Sequence, residues 1–153
     1  MFDEVRKGRI PRAQERPVIR LQATTIDCRD PYALAKFYAE LIGWTIYWHD
    51  EEYACLGAPG IGQGEYPGLT FQRSDAYVPP VWPEEPGAQQ TMEHLDFAVA
   101  DLPAAVEHAL RCGATLARKQ YSTDWTVMLD PEGHPFCLCL LGGLMASPGC
   151  TLR

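Results

Sequence analysis

No apolar run in this chain reaches the roughly 18 residues that a membrane-spanning helix needs. The N-terminal stretch is charged at Asp3, Glu4, Arg6, Lys7, Arg9 and Arg12. It has no apolar segment of the kind a secretory signal carries, so a cytoplasmic location is expected. There is no CxxC pair, which leaves a zinc ribbon or a thioredoxin-like redox site without support. Basic charge is also scarce. The 153 residues carry 13 Lys and Arg against 20 Asp and Glu, a formal net charge of -7. Sequence-independent binding to nucleic acid rests on basic surface, so it is not expected here. Six of the basic groups lie in residues 1–20, leaving 7 against 17 acids in the rest. Such an acidic body can favour a cationic ligand, although acidic surfaces mostly serve solubility.

What is present is ordinary for a folded domain. Apolar residues make up 46% of the chain, enough for a sizeable core, and aromatics 10%. The length suits one domain, or two small modules sharing a core. Six cysteines stand at 28, 55, 112, 137, 139 and 150. With this much apolar mass and no signal segment, free thiols are expected rather than a disulfide framework.

Residues 1–17 read as a polar arm interrupted by Pro11 and Pro17. A strand is predicted at 18–27, where β-branched residues cluster. Asp30-Pro31 then starts a helix, with Leu34, Phe37, Tyr38, Leu41 and Ile42 at helical spacing and Gly43 as its stop. Strands are predicted at 44–49, 52–56 and 68–73. The stretch 74–90 holds four prolines and reads as a linker, a lid or a dimer-contact arm. A strand at 93–99 follows, then a helix opened by Asp101 and stopped by Gly113, and strands at 114–118, 123–129 and 136–141. The DPEGHP turn at 130–135 joins the last two. Residues 142–153 form a tail.

The order strand, helix, three strands therefore occurs twice, at 18–73 and 91–141. Asp30 recurs as Asp101 and Gly43 as Gly113. One such unit exposes half a sheet. Two units would form an α+β fold, a cupped mixed sheet with helices outside. Strand alternation sends Leu95, Phe97 and Val99 toward the helices and His94, Asp96 and Ala98 toward the cup. The same parity turns Cys137 and Cys139 inward with Thr25 and Asp27. The inner surface is thus semi-polar, offering Thr25, Asp27, Gln72, His94, Asp96 and Cys137.

The repeated βαβββ unit, the helix DPYALAKFYAELIGW, the strand EHLDFAVADL and the closing DPEGHPFCL resemble the vicinal oxygen chelate superfamily. The nearest kin by this resemblance are glyoxalase-like domains, beside glyoxalase I, bleomycin resistance proteins and extradiol dioxygenases. The motifs span about residues 18–141. The resemblance implies a homodimer and a small-molecule ligand in the cup. It also implies a site for a divalent metal (zinc, nickel, iron or manganese) built from the first and last strand of each module. Carried over by position, its ligands fall on Ala23, Gln72, His94 and Cys137. Alanine cannot bind metal, and the usual last-strand glutamate is a cysteine. His94, Gln72 and Cys137 remain as tentative ligands. The departure argues against glyoxalase I and extradiol dioxygenase chemistry and toward no bound cofactor. The reading is therefore a glyoxalase-like binder of a small organic molecule. The alternatives are a metal-dependent lyase or isomerase using His94, and a drug-sequestering protein of the bleomycin-binding type.

Each residue also has a plainer role. His94 beside Asp96 is a ligand or general base, or a hydrogen-bonded strand histidine. Cys137 is a soft ligand or nucleophile, or a small buried hydrophobe. His134 reads as a turn residue in solvent and His108 as an inert residue on a helix surface. Trp44, Tyr47, Trp48 and His49 stack a planar ligand or fill the core. Trp82 and Tyr77 belong to the 74–90 loop. Asp50, Glu51, Glu52, Glu84 and Glu85 read as solvated surface.

Overall fold

The computed structural model describes residues 17–60 and 67–141. Most of the predicted arm, the tail, Cys150 and part of the glycine-rich turn at 57–64 lie outside the described residues.

Two local signals recur and set the frame. Asp30 caps helix α1 (Pro31–Ile42), accepting the Ala33 N–H at 2.9 Å, with Pro31 opening the first turn. Asp101 caps helix α2 (Leu102–Cys112), accepting the Ala104 N–H at 3.0 Å. Both helices end where Gly43 and Gly113 turn left-handed, at φ 71° and 109°. The cap pair and stop pair seen as a sequence repeat are thus the same two devices used twice.

Around each helix a four-stranded mixed sheet forms. In the first module β1 (Ala23–Cys28) pairs in parallel with β4 (Gly68–Arg73), followed by β3 (Tyr53–Gly57) and β2 (Thr45–His49), giving the order β1-β4-β3-β2. In the second, β5 (Leu95–Val99) pairs in parallel with β8 (Pro135–Leu140). Next come β7 (Trp125–Leu129) and β6 (Thr115–Leu116), giving β5-β8-β7-β6. The α+β fold of two βαβββ modules with cupped sheets is as the repeat implied. Strand ends differ from expectation by a few residues. The first strand begins at Ala23 rather than Val18, and Val18, Ile19 and Leu21 are exposed. The second module's first strand begins at Leu95, one residue after His94.

One core serves both modules. Tyr38 of α1 stacks on Phe71 of β4 at 5.3 Å and meets Phe97 of β5 and Phe136 of β8, each at 6.2 Å. Leu34, Phe37, Leu56, Phe71, Met128, Phe136 and Leu138 are buried in the same cluster. Burying such side chains is worth roughly 1.5–3 kcal/mol each, so the shared cluster binds the modules together. The helices also touch. His108, expected on an open helix surface, is part-buried between them, with Nε2 3.1 Å from the Leu41 carbonyl. Helical spacing places a residue on a face but does not say which faces meet a second helix. No helix among the described residues is long and apolar enough to cross a membrane.

Candidate functional site

Parity along β5 and β8 divides the second sheet into two faces. Leu95, Phe97, Val99, Phe136 and Leu138 pack in the main core. Cys137, Val127 and Ala117 form a separate buried cluster on the helix-free face, with Trp82, Trp125, Leu129 and Cys139 against it. The register sets Asp96 opposite Cys137, and Val127 opposite Cys137 on the other side. Trp125 lies opposite Cys139.

This face floors a cavity of about 460 Å³ lined by Trp82, His94, Asp96, Tyr121, Trp125, Val127, Cys137 and Cys139. The loop at 74–90 supplies Trp82. That loop folds back on itself through Val81 N–H to the Gln89 carbonyl, 3.0 Å. It is tied to the DPEGHP turn by the Tyr77 hydroxyl, which donates to the Glu132 carbonyl at 2.7 Å. Trp82 meets the Tyr121 ring edge-to-face at 6.0 Å. The Gln120 side chain shapes the loop carrying Tyr121. Its amide accepts from Val127 N–H at 2.8 Å and donates to the Ala117 and Val127 carbonyls at 2.9 Å.

His94, Asp96 and Cys137 converge within the cavity. Their donor atoms all lie within 4.8 Å of one another, and His94 Nε2 is 3.3 Å from Asp96 Oδ1. Burial pushes the Cys137 thiol up to about 12, with the Asp96 charge, Cys139 and a hydrogen bond to Asp96 adding to it. Cys139 is raised by burial and by Asp96. Burial and the Asp96 charge thus disfavour the thiolate form of both sulfurs.

The residues present fit a borderline-soft divalent metal. An imidazole, a carboxylate and a cysteine sulfur form a donor set that zinc accepts. The sequence expectation placed Gln72 third in this set. Gln72 sits on β4, the last strand of the first module as expected, opposite Asp27, and lines neither cavity. Asp96 stands beside His94 because two residues along a strand return to the same face.

A second cavity, about 680 Å³, lies at the seam of the two modules. Thr25 and Asp27 line it with Ser74, Tyr77, Glu93 and His134, and it shares His94 with the first. Trp48, on β2, is 43% exposed and lines neither. Trp44 packs against the main core, so the aromatics of that strand divide between core and surface. His134 is not in solvent. Its side chain is 18% exposed and bonded at both ring nitrogens. Asp130, its partner in the DPEGHP turn, is 4% exposed.

Trp125, Tyr121 and Cys139 complete the cavity. Alternation with core-facing Met128 was the available signal for Trp125. Tyr121 sits in a loop and had none.

The model of the glyoxalase-like domain matches residues 23–139, from the start of β1 into β8. The chain belongs to the glyoxalase-like domain family. No curated protein sequence matches it. It resembles in structure a glyoxalase/bleomycin resistance/dioxygenase family enzyme from Burkholderia phytofirmans PsJN. That pair share 23% identity and a TM-score of 0.58 over 80% of this chain and 98% of that one. The trypanothione-dependent glyoxalase I of Leishmania major is 19% identical, with a TM-score of 0.55 over 80% and 87%. The antibiotic-binding protein TnmS3 from Streptomyces sp. CB03234 is 13% identical, with a TM-score of 0.51 over 80% and 96%. At such identities the likeness is one of fold, and this glyoxalase-like fold carries both an enzyme and a drug-binding protein.

Proposed function

We propose that this glyoxalase-like protein binds a small organic molecule on the helix-free face of its second module. The observation that carries the reading is the 460 Å³ cavity walled by Trp82, Trp125 and Tyr121, with His94, Asp96 and Cys137 at one side. Aromatic walls with a few convergent polar groups are the usual make-up of a ligand pocket, and the volume suits a drug-sized molecule. Sequestration of a drug, as in bleomycin-binding proteins, is one form of this reading. An antibiotic-binding neighbour of the same fold supports it.

The test is a titration with the neutral fluorophore N-phenyl-1-naphthylamine, read by its emission. Saturable binding near one per chain is expected, weakened at least ~10-fold in Trp82→Ala or Trp125→Ala, since each removes a ring wall. Binding that never saturates, or that ignores both substitutions, overturns the reading.

A second reading is a metal-dependent lyase or isomerase. The convergence of His94, Asp96 and Cys137 favours it. These three residues would hold the metal, and Gln72 would stand outside the set. Bound there, a divalent metal would supply Lewis-acid polarisation of a ligand oxygen. The chain's own part would be to hold Asp96 against His94, orienting the imidazole, and to keep water away with the Trp82 and Tyr121 walls. Thr25 and Asp27, in the seam cavity, would contact a polar extension of the ligand. A homodimer in the cytoplasm completes the proposal, and sedimentation would measure the first of these.

A further inference from the structure

We propose that the ligand is an organic cation bearing an aromatic ring, held with its positive charge between the aromatic walls and Asp96. The proposal rests on the organic-ligand reading above and adds the ligand's charge.

Three rings and one carboxylate make up the recognition surface. Trp82, Trp125 and Tyr121 line the cavity, and Asp96 is the one acidic residue among its lining. Neither lysine nor arginine is among the described residues that line it. The adjoining seam cavity, which shares His94, adds Asp27 and Glu93 and again neither lysine nor arginine. An anionic ligand would bring its charge against Asp96, with neither lysine nor arginine among the lining residues to offset it. A cation meets the negative faces of the rings and the carboxylate together. The chain already shows this attraction, because the Lys119 ammonium sits 5.0 Å from the centroid of the Tyr121 ring. Tryptophan faces bind cations better than tyrosine does, and the cavity presents two.

The experiment compares benzyltrimethylammonium with phenylmethanesulfonate as competitors of N-phenyl-1-naphthylamine on the full chain. The two share a benzyl group and differ in the sign of the charge. The cation is expected to displace the fluorophore at a concentration at least ~10-fold lower than the anion. Asp96→Asn is expected to narrow that ratio. A second measurement needs no variant: raising ionic strength on the parent chain should narrow the same ratio, since Asp96 is exposed. Equal displacement by the two competitors overturns the proposal. So does a ratio that neither Asp96→Asn nor salt alters. Failure of the fluorophore itself to bind saturably overturns the organic-ligand reading instead, and this inference with it.

Discussion

The imidazole of His134 stands 2.8 Å from the Asp130 carboxylate through Nδ1 and 2.8 Å from the Asp27 carbonyl through Nε2. A backbone carbonyl only accepts. Asp130 already accepts the Tyr38 hydroxyl at 2.9 Å and the backbone N–H of Glu132 and His134 at 2.9 and 3.0 Å. Below its raised pKa both ring nitrogens donate, and His134 is then an imidazolium paired with a buried carboxylate. The pair ties the DPEGHP turn of the second module to α1 and β1 of the first.

Stability should follow this proton. Burial lowers the His134 pKa, but the hydrogen bond and charge of Asp130, the Asp27 carbonyl and Glu132 raise it further, so the net shift is upward. The folded chain then holds the proton more tightly than the unfolded one. The contribution is complete below the ordinary imidazole range, about pH 6.5, and is lost as pH rises through the raised folded value. Urea unfolding should show stability falling from pH 6 toward pH 7.5, short of the thiol range near 8.5. His134→Gln should cost about 1–3 kcal/mol at pH 6 and flatten that slope. A slope unchanged in the variant would remove His134 as its source.

Gly133 sits in the same turn at φ 94°, and a Cβ there would lie 3.1 Å from the Pro79 Cβ. Gly133→Ala should destabilise by about 1–2 kcal/mol, from left-handed backbone strain plus that contact. Because Pro79 belongs to the loop bearing Trp82, fluorophore affinity should fall as well. Loss of stability with affinity intact would mean that the loop holds its place independently of the turn.

Metal uptake tests the second functional reading. After equilibration with zinc and gel filtration, elemental mass spectrometry should find roughly one metal per chain. His94→Ala should bind at least ~10-fold more weakly, and Gln72→Ala should bind as the parent does. Equal retention by the parent and His94→Ala would sink the three-residue set. With cobalt in place of zinc, a sulfur-to-metal absorption band lost in Cys137→Ala would identify the thiolate ligand.

Cys28 is fully buried in the main core, and burial pushes its thiol up to about 12, with Glu132, Asp30, Asp130 and Asp27 contributing. Alkylation by iodoacetamide at pH 8 should therefore wait for unfolding. Peptide mapping across a urea series should show Cys28 labelling that tracks the global transition. Rapid labelling under native conditions would show that this part of the core opens locally.

Much of the architecture could be read along the chain because its signals are local. Asp30-Pro31 and Asp101, with Gly43 and Gly113, are start and stop devices that act within a few residues. Alternation along β5 and β8 separated core from cup correctly, since strand geometry has a strict period of two. His94, Asp96 and Cys137 were thus legible as residues of one face. Trp82 was legible only as part of a proline-rich loop.

Sequence alone determined the two-module repeat, the helix limits and which residues of β5 and β8 face the core, because caps, stops and alternation depend on near neighbours. Tertiary structure decided the rest. It set Asp96 beside His94 and Cys137, brought Tyr121 and Trp82 edge-to-face, and drew His134 out of solvent onto Asp130. Those outcomes join residues far apart in the chain, and only the packing of the two modules around one core fixes the distances between them.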